Sequence, residues 1–159
     1  MGTSADEVVD RFMMQIMNDN TLNTLYNTSG STTMVNYTEA WLLSSIDEFA
    51  RVCTEDLTYA VGSTSNVGSF TATLTQRSIN ILSRIMVKQW LQQQVSNSLA
   101  FGRYFSDREF RMSAPMLPSL RGYLIEVTEN IDKMLSDYAW DKNVNWDSWQ
   151  NQIFDVFNT

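Results

Sequence analysis

The sequence predicts an all-α fold, a bundle of four to five helices with long loops and a C-terminal aromatic tail. Apolar residues recur at helical spacing in four segments of the 159-residue chain. The segments between them are rich in Asn, Ser, Thr and Gly, which favour loops. An apolar fraction of 43% at this length suits one hydrophobic core. We therefore expect a helical bundle domain over residues 1–143 and a tail, or a short amphipathic helix, over residues 144–159.

The first two predicted helices are separated by a polar segment. The first runs from Ser4 to Asn18 and begins with a capping box formed by Ser4 and Glu7. Residues 19–36 have the composition of a loop. The second helix runs from Tyr37 to Cys53, with an apolar stripe at Leu42, Ile46, Phe49 and Cys53.

The second half of the chain contains the two longest helical patterns. Residues 54–73 predict a loop or, alternatively, a short hairpin. A helix follows from an N-cap at Thr75 to Asn97, and because it is apolar nearly all round we expect it at the centre of the bundle. Residues 101–116 predict a joint. The fourth helix spans Leu117 to Tyr138, and its apolar residues recur at spacings of three and four: Leu117, Leu120, Leu124, Val127, Ile131, Met134 and Tyr138.

Charge is unevenly distributed along this acidic chain, whose net charge is −7. Residues 57–106 contain four bases and no acid, whereas both ends are acidic. This distribution suits contacts between a basic surface on one copy and an acidic surface on another. It equally suits a middle segment that is mostly buried. Tight binding of DNA is disfavoured by the net charge, because affinity for phosphate grows with Lys and Arg contacts.

The residues that usually carry catalysis are scarce. Histidine is absent, which removes the commonest general base and metal ligand. The single cysteine, Cys53, ends an apolar stripe and is expected to be a small buried hydrophobe. The chain start lacks the pattern of a signal peptide, and no apolar run reaches the length of about 20 residues that a membrane span requires. We therefore predict no catalytic residue, cofactor, metal site or membrane contact, and hence a protein that is not an enzyme.

Acidic residues occur in clusters that a metal ion could use, but they lie off the apolar stripes. We expect them to lie on solvated helix faces, with Glu129 and Lys133 forming a favourable i,i+4 pair. The residues concerned are Asp47, Glu48, Glu55, Asp56, Glu126, Glu129 and Asp132.

The C-terminal segment is unusually aromatic. Large aromatic side chains are unfavourable in water, so we expect either the chain's own bundle or a partner to cover them. The predicted interface consists of Trp140, Trp146, Trp149, Ile153, Phe154 and Phe157.

Several short motifs, taken in order, resemble those of the head–tail connector (adaptor, or head-completion) proteins of tailed bacteriophages. The first is Asp6 to Met17 followed, after a loop, by Ala40 to Phe49, and the second is Leu74-Thr75 leading into Ile79 to Leu91. The third is Phe105 to Phe110 followed by a long helix that ends with Leu135 to Tyr138.

This resemblance implies a virion structural protein of the neck, between capsid and tail, made in the host cytoplasm. It implies a homo-oligomeric ring, dodecameric in the family, beneath the portal protein. The ring would extend the DNA channel without sequence-specific DNA binding and form a platform for a stopper or tail-completion protein. The aromatic tail would reach the portal. The alternative is a small helical protein-binding or regulatory protein of phage or host that acts through its fourth helix.

Overall fold

The computed structural model describes residues 2–16, 20–62, 67–104 and 116–143. Side chains are described from Val35 onward in the second helix, up to Asn97 in the third helix, and from Pro118 to Lys142 in the fourth helix. The described residues are mostly helical, which confirms the predicted class. They form helices α1 (Ala5–Ile16), α2 (Asn20–Phe49), α3 (Gln76–Tyr104) and α4 (Met116–Asn143), and strands β1 (Tyr59–Ala60) and β2 (Ser69–Phe70). No helix within these ranges combines the length and apolarity needed to cross a membrane.

Helix α3 is the centre of the structure, as its all-round apolar pattern predicts. Between Ser78 and Leu91 only Asn80 and Arg84 are exposed. Helices α1, α2 and α4 all pack against α3. The core therefore surrounds one helix, and each of the other three helices contributes one apolar stripe to it.

Helix α1 begins with half of the predicted capping box. The Ser4 Oγ accepts a hydrogen bond from the Asp6 N–H at 3.3 Å, so Ser4 is the N-cap. Glu7 does not reach back to the start of the helix. Its carboxylate instead accepts a hydrogen bond from the Gln76 amide at 2.8 Å and lies 3.5 Å from Arg11. The side chain of Glu7 thus contacts α3 instead of completing the capping box.

Helix α2 corrects the predicted loop over residues 19–36, because the helix already begins at Asn20 and continues to Phe49. Asn, Ser and Thr lower helix propensity by well under about 1 kcal/mol each, and no proline interrupts the segment. The helix ends at Phe49, before Cys53, where the chain turns through Ala50 to Val52.

The loop over residues 54–73 contains the alternative hairpin in minimal form. Strands β1 and β2 pair antiparallel, with Tyr59 opposite Phe70. The N-terminal segment lies on the other edge of β2, where Phe70 N–H donates to the Thr3 carbonyl at 2.9 Å. Glycine is required at position 68, since a Cβ there would lie 1.9 Å from the Ala60 carbonyl oxygen.

Two elements of the second half extend beyond their predicted ends. Helix α3 continues to Tyr104, into the predicted joint, and α4 continues past Tyr138 to Asn143. The Thr75 cap is confirmed, because the Thr75 Oγ1 accepts a hydrogen bond from the Ser78 N–H at 3.3 Å. Residues 105–115 of the predicted joint lie outside the described residues.

The basic middle segment is not mostly buried: burial is concentrated in α3 from Ser78 to Leu91, where Lys88 is buried, whereas Arg77 and Arg84 are exposed. Lys88 forms an ion pair with Glu48 of α2, and Arg77 forms one with Asp141 of α4. Glu48 was predicted to lie on a solvated face, but its side chain is half-buried against α3. Arg84 forms no ion pair or hydrogen bond with any residue that the structure describes.

Because α3 is the centre, truncation of its buried side chains should be strongly destabilising. We expect Leu82→Ala, at a position with 0% exposure, to lower the free energy of unfolding by about 2–5 kcal/mol. Arg84→Ala, two positions away and exposed, should change it by less than about 0.5 kcal/mol. Urea unfolding followed by circular dichroism measures both. Equal losses would contradict the central position of α3.

Candidate functional site

The structure describes one of the six residues predicted to form the interface. Trp140 lies near the end of α4 with 65% of its surface exposed. Trp146, Trp149, Ile153, Phe154 and Phe157 lie outside the described residues. The candidate site is therefore the C-terminal end of α4, from which the aromatic segment continues.

This end of α4 is anchored by Tyr138, which is completely buried. Its ring packs edge-on against Phe49, with centroids 5.1 Å apart and an interplanar angle of 70°. The Arg77 guanidinium and the Lys142 ammonium each lie 5.6 Å from the ring centroid, within the range of a cation–π contact. Successive side chains on a helix are about 100° apart, so the burial of Tyr138 turns Trp140 outward.

The hydroxyl of Tyr138 enters a polar junction formed by three parts of the chain. It donates a hydrogen bond to the Glu55 Oε1 at 3.3 Å and lies 3.5 Å from the Cys53 Sγ. Glu55 in turn accepts hydrogen bonds from the Thr75 N–H at 3.0 Å and from the Thr75 hydroxyl at 2.9 Å. One carboxylate thus connects the loop after α2, the start of α3 and the end of α4. We call this set, Cys53, Glu55, Thr75 and Tyr138, the Glu55 junction.

Glu55 was expected on a solvated face, and the structure corrects that prediction. Its side chain is only 15% exposed. Burial raises the pKa of its carboxyl group, but hydrogen bonds from Thr75, Ser78 and Tyr138 outweigh burial, so the pKa lies below the ordinary value of 4.5. Glu55 is therefore ionised at neutral pH. It also places a negative charge at the N-terminal end of α3, where the helix dipole favours it.

Cys53 also differs from its prediction as a simple buried hydrophobe. It is half-buried, and its Sγ accepts a hydrogen bond from the Glu55 N–H at 3.4 Å. The pKa of Tyr138 is raised mainly by burial and secondly by the hydrogen bond with the Cys53 thiol. The phenol therefore stays protonated and continues to donate to Glu55. The junction holds the structure together, and its one carboxylate, Glu55, already accepts hydrogen bonds from Thr75 and Tyr138.

Two further charge contacts hold the last turns of α4. Asp141 pairs with Arg77 of α3, and the Lys142 Nζ lies 3.9 Å from the Glu55 Oε1. Each of these exposed or half-exposed pairs is worth less than about 1 kcal/mol. Together with Tyr138 they hold the last turns of α4 against the start of α3 and the loop after α2.

A second feature of α4 is a shallow hollow between it and α3. Its volume is about 60 Å³, and it is lined by Arg84, Tyr123, Glu126, Val127 and Asn130. Metabolite sites typically measure about 300–1,000 Å³, so the hollow has room only for water or the end of one side chain. Among the described residues no group of three or more Cys, Asp or Glu side chains is arranged to hold a metal ion.

Comparisons with known proteins return no match. No family model, no curated protein and no solved structure is similar to this chain.

Acid should weaken the Glu55 junction. A carboxyl group with a lowered folded-state pKa contributes stability above its unfolded pKa and loses that contribution as pH falls through the folded value. We expect Glu55→Gln to lower the free energy of unfolding at pH 7 by about 1–3 kcal/mol, because donors to a charged acceptor lose their partner. The difference from the wild type should shrink as pH falls below 4.5.

Urea unfolding at a series of pH values measures this difference. Asp47→Asn is the matched control, since Asp47 is an exposed carboxylate of α2 that forms no hydrogen bond or ion pair with any residue that the structure describes. A Glu55→Gln deficit that stayed constant down to pH 3 would show that charge at Glu55 is not the cause.

The two aromatic residues near the end of α4 should respond oppositely to truncation. Tyr138→Ala should lower the free energy of unfolding by about 3–5 kcal/mol, because it empties a buried site. Trp140→Ala should change it by less than about 0.5 kcal/mol, since Trp140 is 65% exposed. Thermal melts of the two variants and the wild type measure this contrast. Comparable losses would mean that Trp140 belongs to the core of its own chain.

Proposed function

We propose that this chain is a virion structural protein, a head–tail connector that forms a ring beneath the portal of a tailed phage. In this proposal it has no catalytic role. Residues 1–143 form a bundle of four to five helices, and residues 144–159 form an aromatic tail that docks on the portal. The ring, dodecameric as the family resemblance implies, extends the DNA channel and receives a stopper or tail-completion protein.

The observation that carries the proposal is the contrast at the end of α4. Tyr138 has no exposed surface and is tied to three elements, whereas Trp140 is 65% exposed. An exposed tryptophan on a rigid support, at the start of a segment with more aromatic residues, is a suitable anchor for a partner protein. Aromatic anchors of this kind supply much of the binding energy at protein interfaces.

The charge of the chain supports the same proposal. Its net charge of −7 gives an acidic protein, in which 18 acids outnumber 11 bases. An acidic channel wall repels phosphate, so DNA would slide through such a ring without being held.

A second candidate function is favoured by the exposed apolar residues of α4. Tyr123 is 42% and Ile125 is 59% exposed, and both lie four to five turns of α4 before Trp140. A helical protein that regulates another protein through α4 would use this surface. It predicts a one-to-one complex with a partner that is not part of a virion.

Docking on a portal is the decisive measurement. We expect the purified chain to co-sediment with portal rings from its own phage, and Trp146→Ala combined with Trp149→Ala to weaken binding by roughly tenfold or more. The double variant should keep the far-UV circular dichroism of the wild type. Asn145→Ala with Gln150→Ala, which changes interleaved polar positions, is the control and should bind normally.

Two results would contradict the proposal. A chain that never associates with portal rings is not a connector. A double tryptophan variant that unfolds would place the tail in the chain's own core.

A further inference from the structure

The outward side of α4 carries a set of residues that the fold itself does not use. We call these residues the outer α4 face: Gly122, Ile125, Glu129, Lys133, Ser136 and Trp140. All six are exposed. On the helix they lie opposite Val127, Ile131 and Tyr138, the residues that α4 buries in the core. Ile125 is 59% and Trp140 is 65% exposed, so the face has an apolar residue near each end.

Among the described residues nothing requires a glycine at position 122. Gly122 lies inside α4, and a Cβ at this position would meet nothing within 4 Å. Glycine weakens a helix interior because it loses more backbone freedom than any other residue on folding. A glycine that faces open space on a helix surface leaves room for the close approach of another molecule.

The two charges at the middle of the face also lack partners. Glu129 and Lys133 have the spacing of a favourable i,i+4 pair, yet neither forms an ion pair within the described part of the chain, which corrects the predicted contact. When a second copy of the face is placed opposite in the antiparallel direction, the acid of each copy meets the base of the other.

We infer that two copies of this chain associate through their outer α4 faces, with the two helices antiparallel. Gly122 and Trp140 are eighteen positions apart, which is five turns of the helix, so they lie in line, about 27 Å from each other. An antiparallel pairing centred near residue 131 places Gly122 beside the partner's Trp140. The same register places Ile125 beside the partner's Ser136 and Glu129 beside the partner's Lys133.

Each of these three contacts occurs twice, because the pairing has two-fold symmetry. Each tryptophan covers the space left by a glycine, and each isoleucine lies next to a small side chain. Each glutamate meets a lysine. The face is therefore self-complementary in size, polarity and charge, which is what an isologous interface requires. A face built for an unrelated partner has no need to match itself.

This inference goes beyond the proposed function and does not rest on it. A two-fold pair does not close a ring, whose contacts run head to tail. The pair describes the free chain, and it covers Trp140, the one described residue of the predicted portal interface. Portal docking and pairing would therefore compete for this side chain.

Charge reversal and mixing test the pairing directly, with the full-length chain studied by sedimentation velocity. The wild type should be a dimer. Glu129→Lys alone should weaken dimerisation by roughly tenfold or more, since the introduced lysine faces the partner's Lys133. Lys133→Glu alone should do the same. An equimolar mixture of the two variants should form a heterodimer, because both charge contacts are then complementary.

Native mass spectrometry with one variant isotopically labelled distinguishes the heterodimer from either homodimer. Arg51→Glu is the matched control for Lys133→Glu, since it replaces a base with an acid at an exposed position outside α4. It should leave the dimer intact. Gly122→Gln should also weaken the dimer by roughly tenfold, while raising the melting temperature of the dilute monomer.

Three results would overturn the inference. These are a wild type that stays monomeric at every concentration, single charge variants that dimerise normally, and a mixture without heterodimer. Binding to portal rings, measured separately, decides the proposed function, so either idea can fail while the other stands.

Discussion

The near-complete burial of α3 between Ser78 and Leu91 is the constraint on which the rest of the structure depends. A helix that is apolar on almost every side must be covered by other helices, and α1, α2 and α4 each supply one stripe. Polar groups carried inward by α3 then need partners, and these fix the alignment of its neighbours. Lys88 pairs with Glu48 of α2, and Gln93 accepts a hydrogen bond from the Trp41 indole at 3.0 Å.

Burial also constrains the beginning of α3, because the backbone N–H groups of its first turn lack partners within the helix and need acceptors nearby. Thr75 caps the helix, and Glu55 accepts from Thr75 itself. Glu55 also accepts a hydrogen bond from the Tyr138 hydroxyl. The same carboxylate that pairs with the backbone at the start of α3 therefore helps to position the end of α4. The position of Trp140 is thus a consequence of backbone hydrogen bonding some 65 residues earlier in the chain, at Thr75.

Apolar periodicity predicted the helical class, the central position of α3 and the long α4, because these depend on side chains that recur along one helix. It missed the start of α2, since Asn, Ser and Thr favour loops only weakly. It also missed Glu48 and Glu55, which lie off the apolar stripes like any solvated acid. Their partners Lys88 and Tyr138 lie 40 and 83 positions away, so only the folded chain brings them together.

The exposure of Trp140 follows from geometry that its own bundle cannot change. Residues two positions apart on a helix point in nearly opposite directions, so any structure that keeps Tyr138 against Phe49 keeps Trp140 in solvent. Burying Trp140 within the bundle would require α4 to unwind or to release the Glu55 junction. Any cover for Trp140 therefore comes from outside the described bundle. The open space at Gly122, five turns earlier on the same line, favours a second copy.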